Sequence, residues 1–150
     1  MDLVVAARDF STPSQTFVRQ HVDLLRPGDT GLITSTPLPE EYSHLPRLLL
    51  PPRQESSFSF PRQSSSRASS IRGTFPAQKL KSSGVEKVRS FVQELGARSV
   101  LAEFGDVGLL LSNALAKTRV RLFVHFHGVD GSAWLRVPRY RLALGQAMPK

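Results

Sequence analysis

Short apolar runs alternating with amphipathic segments set the architecture of this chain. Leu3 to Ala7 reads as a buried strand. Thr12-Pro13-Ser14-Gln15 fits a capping box, with Thr12 as N-cap, Pro13 at the first helical position and Gln15 three residues on. The helix that follows carries Val18, Val22 and Leu25 on one face, and Pro27-Gly28 ends it. Thr30 to Ser35 is rich in β-branched residues and predicts a second strand. Glu40 to Leu50 reads as a helical segment interrupted at Pro46. Further on, Val85, Val88, Val92 and Leu95 form a helical stripe closed by Gly96. A strand is expected over Ser99 to Glu103, and Phe104-Gly105-Asp106 turns it into a helix from Val107 to Lys117. Arg121 to His125 predicts another strand and Arg139 to Ala147 a last helix. Helix and strand alternating in this way imply an α/β fold, a Rossmann-like parallel sheet with flanking helices.

Residues 51–83 break the pattern. Pro51-Pro52, Pro61 and Pro76 punctuate a stretch crowded with Ser and Arg, and Phe58, Phe60, Ile71 and Phe75 follow neither a helical nor a strand period. So little apolar surface does not offset an ordering cost of ~1–2 kcal/mol per residue. The expected organisation is one domain in two parts, 1–50 and 84–150, around a flexible insertion at 51–83, with the second part truncated at its C-terminus.

Composition narrows the chemistry. The chain has no cysteine, so disulfides, zinc–thiolate sites and thiol nucleophiles are excluded. Met1 to Asp9 is too short and too acidic for a signal peptide, and no apolar run approaches the ~20 residues that span a bilayer. A cytoplasmic protein is expected. The net charge of +8 is uneven: residues 1–50 carry −2, residues 51–83 carry +5 and residues 84–150 carry +5. Such a field attracts anionic lipid, nucleotide or nucleic acid without choosing among them.

The densest chemistry lies in Phe123-Val124-His125-Phe126-His127-Gly128-Val129-Asp130. Apolar residues lead to a polar tip, and glycines at 128 and 131 favour a sharp turn there. In open α/β sheets the carboxyl ends of strands meet ligands. His127, Gly128 and Asp130 equally fit a plain hydrogen-bonded turn, and His125, inside the strand, reads as a satisfied core residue. His-x-His on a strand can supply two zinc ligands, but no further histidine follows downstream, and no metal is expected. Ser14 and Thr16 are capping residues or, with exposed amides, an anion site, and Gly105 has the same dual reading. Gly-x-Gly-x-x-Gly, a phosphate-binding loop ending in Gly-Lys-Ser/Thr and a Gly-x-Ser-x-Gly elbow are all absent.

Three stretches, in order, resemble the N-terminal domain of a GT-B-fold glycosyltransferase of the group 1 (family 4) type. Phe10 with Pro13-Ser14-Gln15-Thr16-Phe17-Val18 resembles the family's first strand–loop–helix, where Pro-Ser-Glu-Thr-Phe is usual. Leu101-Ala102-Glu103-Phe104-Gly105 resembles a mid-domain strand and turn, often His-x-His-Phe-Gly. Val124 to Asp130 resembles the His-Gly-Tyr-Asp signature. Gln15 stands for the usual Glu and Glu103 for a common His, so neither carries the usual side-chain role unchanged. The resemblance covers about 3–50 and 84–147; residues 51–83 match nothing in it.

The resemblance implies an acceptor-side domain that moves a sugar from a nucleotide-sugar donor to a hydroxyl acceptor, with retention as the family's expected course, as in polysaccharide biosynthesis. It places His127 in the cleft as a catalytic residue and Asp130 as the group orienting the loop or acceptor. Ser14, Gln15, Thr16, Gly105 and Gly128 would bind substrate. No cofactor or metal is implied. The family's donor-binding second Rossmann-like domain, which usually carries basic residues for the diphosphate and a Glu-x7-Glu motif, is expected to lie outside this chain, so the chain alone is expected to be inactive. The rival reading is a non-catalytic basic module that uses residues 53–81 to meet anionic lipid or nucleic acid. It has no defined nucleic-acid motif, so specific nucleic-acid binding is not expected, and contact with an anionic inner membrane face is its favoured form.

Limited trypsin digestion should cut first at Arg53, Arg62, Arg67 or Arg72. Cleavage at Lys117 or Arg121 before any of these would contradict the division into ordered and flexible parts.

Overall fold

Five parallel strands form one sheet in the order β3-β2-β1-β4-β5. The computed structural model describes residues 1–10, 16–51 and 79–147. The strands are β1 (Leu3–Ala6), β2 (Thr30–Thr34), β3 (Arg47–Leu49), β4 (Ser99–Glu103) and β5 (Arg121–His125). Four helices flank them: α1 (Thr16–Leu25), α2 (Ser82–Glu94), α3 (Gly105–Leu115) and α4 (Pro138–Ala147). The arrangement is Rossmann-like: from central β1 the chain runs out to β2 and β3, then crosses back to β4 on the other side of β1 and out to β5. Among the described residues no helix is long and apolar enough to cross a membrane.

Strand alternation distributes the core between two faces. Val4 and Ala6 of β1, with Val100 and Ala102 of β4, pack against Val85, Val88 and Val92 of α2 and Val107 and Leu111 of α3. Val5 and Leu32 point the other way, onto Val18 and Val22 of α1 with Phe10, Tyr42 and Leu45. Full burial of a Val or Leu side chain contributes about 1.5–3 kcal/mol, so these two clusters dominate stability. Of the helical stripes read from sequence, Val18 and Val22 of α1 and Val85, Val88 and Val92 of α2 are buried, while Leu25, at the last turn of α1, is exposed. Both helices stop where expected: Gly28 and Gly96 adopt φ +71° and +61°, a left-handed conformation that glycine enters without a Cβ penalty.

The segment 40–50 departs from the expected helix. A single 3-10 turn, Glu40–Tyr42, is followed by edge strand β3. Pro46 explains the change, because it disfavours the helical region for the residue before it and supplies no N–H. Its carbonyl instead accepts the Leu32 amide at 2.8 Å and opens the pairing of β3 with β2. Helix α2 begins at Ser82, two residues before the expected resumption at 84. The capping box, including Ser14 and Gln15, and residues 52–78 of the expected insertion lie outside the described residues.

Between the 3-10 turn and α1, the Tyr42 hydroxyl donates to Asp23 Oδ2 at 3.1 Å. Burial, reinforced by the Asp23 charge, pushes the Tyr42 pKa from 10.0 up to about 12. Tyr140, the other tyrosine of the chain, is also raised, by burial first and then by Asp130. The folded state therefore keeps protons that the unfolded chain gives up near pH 10. Stability is fully present below pH 10 and falls as pH rises from there through about 12. Tyrosinate absorbance should appear well above pH 10 in the folded protein and near 10 in urea. A tyrosine ionising at pH 10 while the fold stays intact would contradict this.

Candidate functional site

At the carboxyl ends of β1, β4 and β5, four ionisable side chains from four segments meet. Alternation along β4 turns Val100 and Ala102 toward α2 and α3, and sends Glu103 to the side of α1. Glu103 is fully buried there. Its Oε1 lies 2.6 Å from His21 Nδ1 of α1, and its Oε2 lies 2.9 Å from His127 Nε2 in the loop after β5. His125 Nδ1, at the end of β5, stands 3.2 Å from the same Oε2 in ion-pair contact. A carboxyl group taken out of water needs such partners, and among the described residues the side chains that meet it are these three histidines.

The rings are packed as well as bonded. His127 stacks on Phe17, with centroids 4.0 Å apart, and lies 4.6 Å from Phe104 and 4.1 Å from His125. His21 and His125 are 5.1 Å apart. Phe104 holds its place at a cost, since its φ of +77° is an outlier for a bulky residue. This turn ends β4, presents the Phe104 ring to the cluster and opens α3. Arg8, in the loop after β1, pairs with Asp106 in the first turn of α3.

Asp130 holds the loop. It is buried, and its two oxygens accept the amides of Gly105 at 2.6 Å and His127 at 2.7 Å. Gly105 is required for close approach: a Cβ there would run into the Tyr140 hydroxyl of α4 and come within 2.6 Å of Phe126. Gly128 is exposed, and its carbonyl accepts from the Ser132 hydroxyl. Neither Gly128 nor Gly131 adopts positive φ, so the sharp turn does not rest on glycine freedom at those positions. The plain turn reading accounts for Asp130 and the His127 backbone, but the His127 imidazole goes to Glu103 rather than to a backbone carbonyl.

Of the residues singled out from sequence, His127, Asp130 and Gly105 come together, Thr16 is exposed at the start of α1, and Gly128 lies on the outer loop. His125 is a correction. Its side chain is 44% exposed and joins the cluster, because β5 is an edge strand and this face is only partly covered. Sequence reasoning missed His21, and it set Glu103 aside as a departure from a motif. Two signals were there: a charge ending an otherwise apolar strand needs partners, and His21 follows Phe17 by four positions, one turn along the same helix face. A separate cleft of about 480 Å³, lined by Arg19, Asp23, Tyr42 and His44 among others, includes none of the Glu103 cluster. Comparison with protein families, curated proteins and solved structures finds no match to this chain.

Asp130→Asn keeps one acceptor and turns an amide NH₂ toward a backbone donor. It should cost about 1–3 kcal/mol in chemical denaturation, the penalty for a buried donor left unpaired. An unchanged unfolding midpoint would show that the carboxylate does not hold the loop.

Proposed function

We propose that the chain is the acceptor-side half of a nucleotide-sugar-dependent glycosyltransferase of the GT-B group, working with a second Rossmann-like domain that holds the donor. The observation that carries this reading is spatial. The three stretches that resemble the family are distant in sequence and converge on one point. Phe17 stacks on His127, Glu103 bonds His127, and Asp130 bonds the Gly105 amide. They meet beside the β1–β4 junction, where the strand order reverses and open α/β sheets take their ligands.

His127 is the residue suited to meet an acceptor hydroxyl. With Glu103 accepting from Nε2–H, the other ring nitrogen is left as a hydrogen-bond acceptor, and the carboxylate stabilises positive charge that develops on the ring. This is the logic by which a buried carboxylate fixes the tautomer of a working histidine. Asp130 has both oxygens committed to backbone amides, which supports a loop-orienting role rather than contact with substrate. Thr16, at the start of α1, and Gly128, in the loop after β5, are both exposed and so open to a ligand, and Ser14 and Gln15 immediately precede α1 in sequence. The donor diphosphate would be met by the second domain, so the reading needs no bound cofactor here.

The test joins this chain to the donor-binding half of a group 1 glycosyltransferase and follows sugar transfer to a panel of hydroxyl acceptors. The chain alone should show negligible transfer. In the joined protein His127→Ala should lower turnover by roughly 10²–10⁴-fold, the range for a lost acid–base or polar contribution to the transition state. Full turnover in a folded His127→Ala protein would overturn the assigned role.

A further inference from the structure

The geometry points to a Zn²⁺ site built by His21, Glu103 and His125. One donor atom from each residue lies within 4.8 Å of the other two. Ligands bonded to one zinc at ~2.0–2.2 Å stand roughly 3–4 Å apart, so small side-chain adjustments close the sphere. The ligand types suit the ion. Two imidazoles and one carboxylate are the set used where zinc keeps a coordination position open, and the imidazoles disfavour the all-oxygen ions calcium and magnesium.

The surroundings support the assignment. Three of the chain's four histidines converge on one carboxylate, from α1, β5 and the loop beyond it. Glu103 is fully buried, while the His21 and His125 side chains are 26% and 44% exposed, which leaves a route for the ion from solvent. His127 Nε2 holds Glu103 Oε2 at 2.9 Å, the kind of outer hydrogen bond that orients a ligating carboxylate. His125 approaches Glu103 at 3.2 Å as an ion-pair contact, close to the separation of two ligands sharing an ion. The bland alternative is that the imidazoles merely neutralise a buried charge. That alternative predicts no saturable metal binding, which the titration below reads directly. The absence of a downstream histidine is no obstacle, since the second imidazole comes from His21, 82 residues before Glu103.

This inference does not rest on the glycosyltransferase reading, because its test reads metal binding and involves no transfer. The full chain, free of affinity tag and stripped with chelator, is titrated with Zn²⁺ by calorimetry and with Co²⁺ by visible absorption. One ion per chain is expected, with the intense d–d bands of a low-coordinate Co²⁺ site. His125→Ala and His21→Ala should each weaken Zn²⁺ binding by at least about 100-fold, and His127→Ala by about 10–100-fold. His44→Ala should bind as the parent does, since His44 lines the separate cleft. Glu103→Gln can be lost to misfolding, so the decision rests on the histidine variants, each checked for fold by circular dichroism. The proposal is overturned by lack of saturable one-site binding, by binding that survives both His21→Ala and His125→Ala, or by equal loss in His44→Ala.

Discussion

A carboxylate with no access to water constrains everything around it. Ionised, it must be surrounded by donors, because an isolated buried charge costs far more than one fold can recover elsewhere. Glu103 sits fully buried at the end of β4. Meeting its demand fixes the rotation of α1 that brings His21 inward and the end of β5 that brings His125. It also fixes the path of the next loop, which returns His127 to within hydrogen-bond distance. The polar cluster and the two apolar clusters are thus complementary: burial sets how tightly the layers close, and Glu103 sets their register at one corner.

The same corner contains two further departures from the least costly local structure. Phe104 accepts an unfavourable backbone angle, and Asp130 is a further buried carboxylate, both of whose oxygens accept main-chain amides. Strain and buried charge concentrate where a fold is asked to hold side chains for a purpose beyond packing. The opposite end of the sheet, at the amino ends of the strands, carries instead ordinary surface pairs such as Asp2 with Arg26 and Arg98.

Much of the fold was legible because it rests on periodicity. The Val85-Val88-Val92 stripe, the strand at Ser99–Glu103 and the strand at Arg121–His125 each follow from spacing alone. Segment 40–50 misleads because Leu45 and Leu48 to Leu50 mimic a helical face, while Pro46 redirects the chain into the ladder with β2. The site was half legible. His127 and Asp130 announce themselves by clustering in sequence, but Glu103 and His21 meet only through sheet order, which places β4 beside β1 and α1 over both. No local pattern carries that information. His125 was misjudged for the related reason that edge strands expose a face that central strands bury.

Gly105 ties two distant parts of the molecule together. Its amide is gripped by Asp130, and its missing side chain leaves the hollow occupied by Tyr140 of α4. Helix α4 is held through a small satellite cluster of Val137, Tyr140 and Leu144 with Leu109, Phe126 and Trp134. The address of this last helix is therefore written partly at the turn that opens α3, and not in the helix alone. A single methyl group added at residue 105 would act as a wedge, lifting α4 and loosening the histidine loop in one movement.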